Sequence, residues 1–448
     1  MIIYVLSPVR LETGGAELLH QLRYKLELMG YEAYMVYNGS DDSDPVPSAY
    51  RDKYRVKYVR NVDVTKGLFI VPEVMTEFCT LPQFSKAHTV IWWLSVDNAY
   101  AAKTKEEILE MLAMRPDIVH FSQSQYATDF LVNELNVQRD KIFEVSDYIN
   151  SVYLREWNKT DRDDVVLFNP VKGIDKTLEF IKKSDARIKW RALKGLTPEQ
   201  MREVMLQSKV YIDFGNHPGK DRIPREAAAC GCCVLTNKNG AARNNVDVKI
   251  PECYKLADDN AENVLLRILD LLSNYEVRVA DYSGYVELTL REFRKFETDA
   301  LRAITTLLEE EICNLDTDEV VKEISDLIGQ GFLDKAFKLL VEYRLNGGSE
   351  TEEILILEAT IRLQNGEYAE ARFSAIEGLN ISQTRYELYL LLAQNEFVNN
   401  SNNTREIIEY SRKALEYSEE YASEDEKRYI HTIIDEMLTV IESDASKT

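Results

Sequence analysis

Along the first forty residues the hydrophobic positions change period twice. Residues 2–6 form a short β-branched and aliphatic run, Thr13-Gly14-Gly15 breaks it, and Leu18, Leu19, Leu22, Leu26 and Met29 recur at helical spacing until Gly30. Tyr34 to Tyr37 starts the next strand. Strand, glycine turn, helix and strand in that order open a doubly wound α/β sheet. Short apolar runs follow at 68–71, 90–94 and 118–121, each ending at polar or proline residues. Ligands of such sheets gather at the carboxyl ends of the strands, so Pro72-Glu73 and Ser95-Val96-Asp97-Asn98 are predicted to line a cleft.

A second α/β cycle begins after the charged stretch 159–164, with 165–168 as its first strand. Residues 210–214 and 233–236 are its later strands and bracket a helix predicted over about 224–229. From about Asp316 the strands disappear and only helical periodicity remains. Gly331 with Ala336 and Gly366 with Ala371 repeat as Gly-x4-Ala, and a weaker third copy contains Ile407. The equivalents Ala336, Ala371 and Ile407 stand 35 and 36 residues apart, near the roughly 34 of tetratricopeptide repeats. The predicted fold class is α/β, with two Rossmann-like domains facing a cleft, followed by an all-α domain of three stacked helical hairpins. The boundaries read as 1–155, 156–312 and 313–448.

A chain of 448 residues suits three domains, and 45% hydrophobic with 29% charged residues is a globular composition. The formal charge of −22 excludes a nucleic-acid backbone as the main partner, because phosphate contacts need a basic face. A local basic pocket stays compatible with it. Cys230, Cys232 and Cys233 suit neither a disulfide framework nor a four-ligand zinc site and read as buried thiols in a reducing compartment. The N-terminus has no basic segment before its apolar run, and no window reaches the length of a spanning helix. The expected location is cytoplasmic, or peripheral to the inner face of a membrane.

Thr13-Gly14-Gly15-Ala16-Glu17, closed by Gly30-Tyr31, resembles the GGxE helix start of the GT-B family-4 glycosyltransferases. The segment 223–235, IPREAAACGCCVL, resembles their donor-binding P-x-E-A-x-A-C-G-x-P-V, and Asn239-Gly240 falls where they carry a glycine-rich turn. The resemblance covers roughly residues 1–310 and implies a GT-B fold and sugar transfer from a nucleotide diphosphate donor. The physics agrees: helix starts at Gly15 and Pro224 offer N–H groups and a positive dipole end to an anion, and Gly14 and Gly15 admit close approach.

Lys172-Gly173 matches the family's second-domain entry, where the lysine reaches the donor diphosphate. Where the family commonly has an arginine three residues earlier, this chain has Asn169, so Lys220, Arg222 or Arg225 is expected to supply the charge. Glu226 matches the second glutamate of the family's E-x7-E pattern, which hydrogen-bonds the donor ribose. The first glutamate is replaced by Pro218, leaving His217, Gly219 or Asp221 for its task. Asp97 is the candidate general base, and Trp92 and Trp93 read as core. The resemblance implies a mechanism without metal or cofactor, and no Asp, His or Cys cluster with ligand spacing is read beside the donor motifs. Residues 41–44, DDSD, read as a solvated turn. The expected partners are a nucleotide sugar, a glycan, lipid-linked or protein acceptor, and a protein bound by the repeats. Two rival readings stay open: a nucleotide-sugar epimerase of GT-B shape, and a non-catalytic nucleotide-sugar-binding scaffold.

Overall fold

The computed structural model describes residues 1–39, 43–63, 67–100, 103–155, 161–257, 260–399 and 403–445. Asp41 and Asp42 of the predicted turn lie outside the described residues, as do 159 and 160 of the charged stretch. The chain divides into two units, Met1–Glu311 and Ile312–Thr448.

The first unit holds two parallel sheets. Strands β1 (Ile2–Pro8), β2 (Ala33–Asn38), β3 (Gly67–Pro72), β4 (His88–Trp93), β5 (Val119–Ser122) and β6 (Ile142–Glu144) lie in the order β2-β1-β3-β4-β5-β6. Strands β7 (Asp163–Phe168), β8 (Lys189–Ala192), β9 (Ser208–Asp213) and β10 (Cys233–Thr236) lie in the order β10-β9-β7-β8. In both sheets the first strand sits inside, with its successor on one side and the third strand on the other. Strand order therefore reverses beside β1 and beside β7, and a doubly wound sheet opens a crevice at such a point.

Helices cover both faces of the sheets, which is why the inner strands read as continuous apolar runs. Phe69, Ile70, Trp92 and Trp93 are fully buried in the first sheet. The indole N–H of Trp92 donates to the Val145 carbonyl at 3.1 Å and that of Trp93 to His120 Nδ1 at 3.0 Å, so both tryptophans belong to the core. The second sheet packs Val166, Tyr211, Val234 and Leu235 with Cys230, Cys232 and Cys233, which are buried free thiols.

Sequence order and packing part company near the end of this unit. Helix Glu292–Leu308, counted above with the second domain, packs on the first sheet's side. Phe296 stacks on Trp92 and tilts against Tyr148, while buried Lys25 and Glu297 pair at 2.8 Å. The first residue of the helix, Glu292, pairs with Lys220 and Arg225 of the second half, so the helix packs on both halves.

In the second unit, helices Thr317–Gly329 and Leu333–Leu345, Glu352–Gln364 and Tyr368–Ile381, and Tyr386–Asn399 and Thr404–Tyr421 form successive pairs, with Glu424–Ala445 after them. Ala336, Ala371 and Ile407, the repeat equivalents, are all buried. A small residue at the first two positions lets paired helices approach closely.

Candidate active site

A cavity of about 440 Å³ opens where the two reversal points face each other, within the size range of small-molecule sites. From the first sheet's side it takes Gly14 and Gly15 after β1, Glu73 after β3, and Ser95 and Asn98 after β4. From the second it takes Asn169 and Lys172 after β7, Asp213 at the end of β9, and Gly219, Lys220, Asp221 and Arg222.

The glycine end of the cavity is built by helix Gly14–Leu28. Thr13 caps it, accepting the Ala16 N–H on its hydroxyl at 3.4 Å and the Glu17 N–H on its carbonyl at 2.9 Å. A helix leaves its first N–H groups without intrahelical acceptors, so those of Gly14 and Gly15 are left for an anion at the positive end of the dipole.

Opposite stands Lys172. Gly173 follows it with a φ of +61°, and a Cβ there would meet the Phe214 carbonyl at 2.5 Å. Only glycine tolerates both the left-handed backbone and the contact, so the Lys-Gly pair fixes the lysine against the end of β9. Lys172 Nζ bonds Asp221 Oδ1 at 2.5 Å. Asp221 is the N-cap of helix Arg222–Ala229, but its side chain caps nothing there. Its Oδ2 stands 2.9 Å from His217 Nδ1, and His217 Nε2 stands 3.9 Å from Asp213 Oδ1. The reading that no Asp and His cluster accompanies the donor motifs is thereby corrected: three residues at four-residue spacing bring their polar atoms within 4.8 Å of one another. His217 turns a different ring nitrogen to each acid.

Burial by itself would lower the His217 pKa, yet Asp221 and Asp213 raise it above the ordinary histidine range. For Asp221 burial raises the pKa, and His217 and Lys172 together hold it below the usual carboxylate range. Asp213 is raised, chiefly by burial; it accepts from the Tyr211 hydroxyl at 3.0 Å and the Gly215 N–H at 3.1 Å.

The basic segment joins the two halves. Arg222 donates to Glu17 at 2.6 Å, to Gln21 at 2.8 Å and to Asp147 at 2.8 Å. Glu17 also takes Lys53 at 2.9 Å and the Tyr54 hydroxyl at 2.6 Å. Burial alone would push Glu17 upward; Arg222 and Lys53 overcome it and hold the carboxyl down to about 2. Arg225, expected to offer charge to the donor, is fully buried between Asp147 and Glu292 and does not line the cavity. It is a strut, because a guanidinium so deep persists only when its donors are matched. Lys220 lines the cavity with its ammonium on Glu292, while its backbone N–H and carbonyl are held by the Gln123 amide at 2.8 and 3.2 Å. Asp247, from the second half, accepts the N–H groups of Gln125 and Tyr126 at 2.7 and 2.9 Å, at the start of helix Gln125–Asn133 in the first.

Five further expectations, His217 among them, fall outside the cavity lining. Asp97 accepts from the Tyr126 hydroxyl at 3.0 Å and the Asn216 amide at 2.6 Å, and lines a separate depression with Tyr100 and Arg243. The turn Val96–Ala99 sends Asn98, not Asp97, toward the cavity. Glu226 is buried behind the site, and burial raises its pKa to about 7. Asn239 and Gly240 also lie outside the cavity lining. Gly240 has a φ of +52° and would place a Cβ 2.0 Å from the His217 carbonyl, while Ala241 N–H donates to that carbonyl at 2.9 Å. The glycine turn therefore seats His217 from behind.

Glu73 is the carboxyl that sequence reading placed in the cleft without assigning it chemistry. Its oxygens accept the N–H groups of Leu94 and Ser95 at 3.0 and 3.1 Å, and burial raises its pKa to about 7 in spite of them. A buried acid in a cavity, titrating near neutrality, is fitted for proton transfer.

No family model and no curated protein matches the sequence. Solved structures do. HepE from Anabaena in complex with UDP-glucose superposes with a TM-score of 0.53 at 10% identity, over 68% of this chain and 100% of that one. Sucrose-phosphate synthase from Thermosynechococcus elongatus gives 0.50 at 14% identity, over 69% and 98%. The fold of residues up to about 310 is GT-B, and the all-helical unit follows it.

Proposed function

We propose that this chain is a glycosyltransferase of the hexosyl-transferring class. It takes a sugar from a nucleoside diphosphate donor in the cleft and passes it to a glycan, lipid-linked or protein acceptor. The observation that carries this reading is the meeting, in one cavity, of the Gly14 and Gly15 helix start from one sheet with Lys172 from the other. A diphosphate between them lies on N–H dipoles on one side and an ammonium on the other.

In transfer, the bond from the anomeric carbon to the diphosphate oxygen breaks, and negative charge grows on the leaving diphosphate. Lys172, drawn from Asp221, and the helix N–H groups would stabilise that charge without a divalent ion. Glu73, on the first sheet's side of the cavity with Gly14 and Gly15, is the proposed acceptor of the hydroxyl's proton, instead of Asp97. The helical repeats serve acceptor or partner choice, because stacked hairpins make concave surfaces suited to extended ligands.

The deciding experiment incubates purified protein with UDP-, GDP- and ADP-sugars and measures released nucleoside diphosphate, with and without acceptor mixtures. Release that rises with an acceptor supports transfer. Conversion of the sugar without release points to an epimerase, and binding with neither points to a scaffold.

A further inference from the structure

His217 lies behind the cavity, outside its lining, and has no place in the transfer chemistry above, although it is fully buried and flanked by acids from two elements. Asp213 ends β9, Asp221 precedes helix Arg222–Ala229, and Lys172 follows β7; these are the charged groups facing the ring. They form a line: Asp213, His217 at 3.9 Å, Asp221 at 2.9 Å, then Lys172 at 2.5 Å. With the imidazole protonated, two anions and two cations cancel. With it neutral, one negative charge remains beside a cavity meant for a diphosphate.

We propose that His217 is a positioning residue for Lys172: when the donor draws the ammonium from Asp221 onto its diphosphate, an imidazolium at His217 takes over that carboxylate, so donor binding is coupled to proton uptake. This rests on the reading that Lys172 meets the diphosphate. Three features of the fold support it. The Asp221 carboxyl faces His217 and Lys172 and does not cap its own helix, whose third residue, Pro224, has no N–H to offer it. Asp213 is pinned by Tyr211 and Gly215, so the far end of the line does not move. The Gly240 turn fixes the His217 backbone, leaving the lysine, about one-third exposed, as the mobile end.

Losing Lys172 from Asp221 without compensation would leave the buried Asp213 and the half-buried Asp221 carboxylates next to an incoming anion, which is unfavourable at low local dielectric. An imidazolium between them removes that repulsion. Its existing upward pKa direction, caused by those same acids, rises further when the anion arrives. Donor affinity then falls as pH rises past the imidazolium's titration, approaching about tenfold per pH unit for one linked proton.

The test is titration calorimetry of the full chain with UDP-, GDP- and ADP-glucose, whose diphosphate diesters do not titrate near neutrality. It is run from pH 6 to 9 in pairs of buffers differing in ionisation enthalpy. The wild type is expected to take up protons on binding, and His217→Gln to bind more weakly, with neither uptake nor pH dependence. Asp221→Asn, which keeps the shape of the carboxyl, is expected to abolish uptake as well and covers the case in which the histidine variant misfolds. A wild type that binds donor without taking up protons, or a His217→Gln protein that still takes them up, overturns this inference alone. Binding that needs added Mn²⁺ and is lost in Asp213→Asn makes the three residues a metal site and also overturns it. A wild type that binds none of the three donors overturns the donor reading, and this inference with it.

Discussion

Nη1 of Arg222 donates to Oε2 of Glu17 over 2.6 Å, joining side chains 205 positions apart in the chain. The pair links the first turn of the glycine-led helix to the helix start of the second half, with Asp147 on the other edge of the same guanidinium. The motif glutamate of GGxE thus serves as an anchor between the sheets, and the cavity's two charged walls are registered through it.

Replacing Arg222 by Met leaves Glu17 and Asp147 buried with fewer partners. Breaking a buried pair costs about 3–5 kcal/mol, and Lys53 and Arg225 remain to soften it, so the lower end is expected. A drop in the urea midpoint of the first unit's transition checks this. Because Glu17 is held down to about 2, its stabilisation is complete above the ordinary carboxylate range and is lost as pH falls through that value.

Lys172→Ala removes one hydrogen bond to a charged group, worth about 1.5–3 kcal/mol, so kcat/KM for the donor falls roughly ten- to a hundredfold or more. Kinetics unchanged in a folded variant would remove the lysine from the donor's diphosphate.

Glu73→Gln keeps the acceptor for one of the two backbone N–H groups but cannot take a proton. In the wild type, transfer should rise with pH through about 7 as this acid ionises, and the variant should lose that limb along with most turnover. The stability effect has the opposite sense: with its folded pKa raised, Glu73 favours folding at low pH, and that contribution fades as pH climbs through the same region. A pH profile identical in both proteins would return the base to another residue.

Turnover should persist in EDTA, since the positive groups around the diphosphate belong to the chain. Complete loss, restored by Mn²⁺ or Mg²⁺, is the contrary result.

Truncation after Glu311 follows the division of the chain into units. Hydrolysis of the donor without acceptor should survive in the shortened protein, and transfer to the native acceptor should not. Loss of both, with aggregation, would make the helical unit part of the first unit's core.

The fold was legible wherever burial writes itself as a hydrophobic run. Residues 68–71, 90–94 and 165–168 became β3, β4 and β7 because helices cover both faces of those strands. Strand β6 has three residues and β8 is a largely exposed edge strand, so neither carries a run to read. In the site, Lys172, Gly14 and Gly15 were legible because each has a local reason to be where it is. Arg225 was not, since pairing with Asp147 and Glu292 across 78 and 67 residues leaves no local trace. The histidine and its two acids do leave one, a spacing of four and four, but only the turn back from β9 into the next helix brings them side by side.

Asp247 has a meaning beyond the static structure. Helix Gln125–Asn133 belongs to the first half, yet its leading amides are satisfied by a carboxylate lent by the second. Separating the halves strips that cap, and the Gln125 and Tyr126 amides then exchange with solvent in proportion to the fraction of time the cleft is open. Deuterium uptake at these two positions is a gauge of opening that requires no substrate and no knowledge of the acceptor.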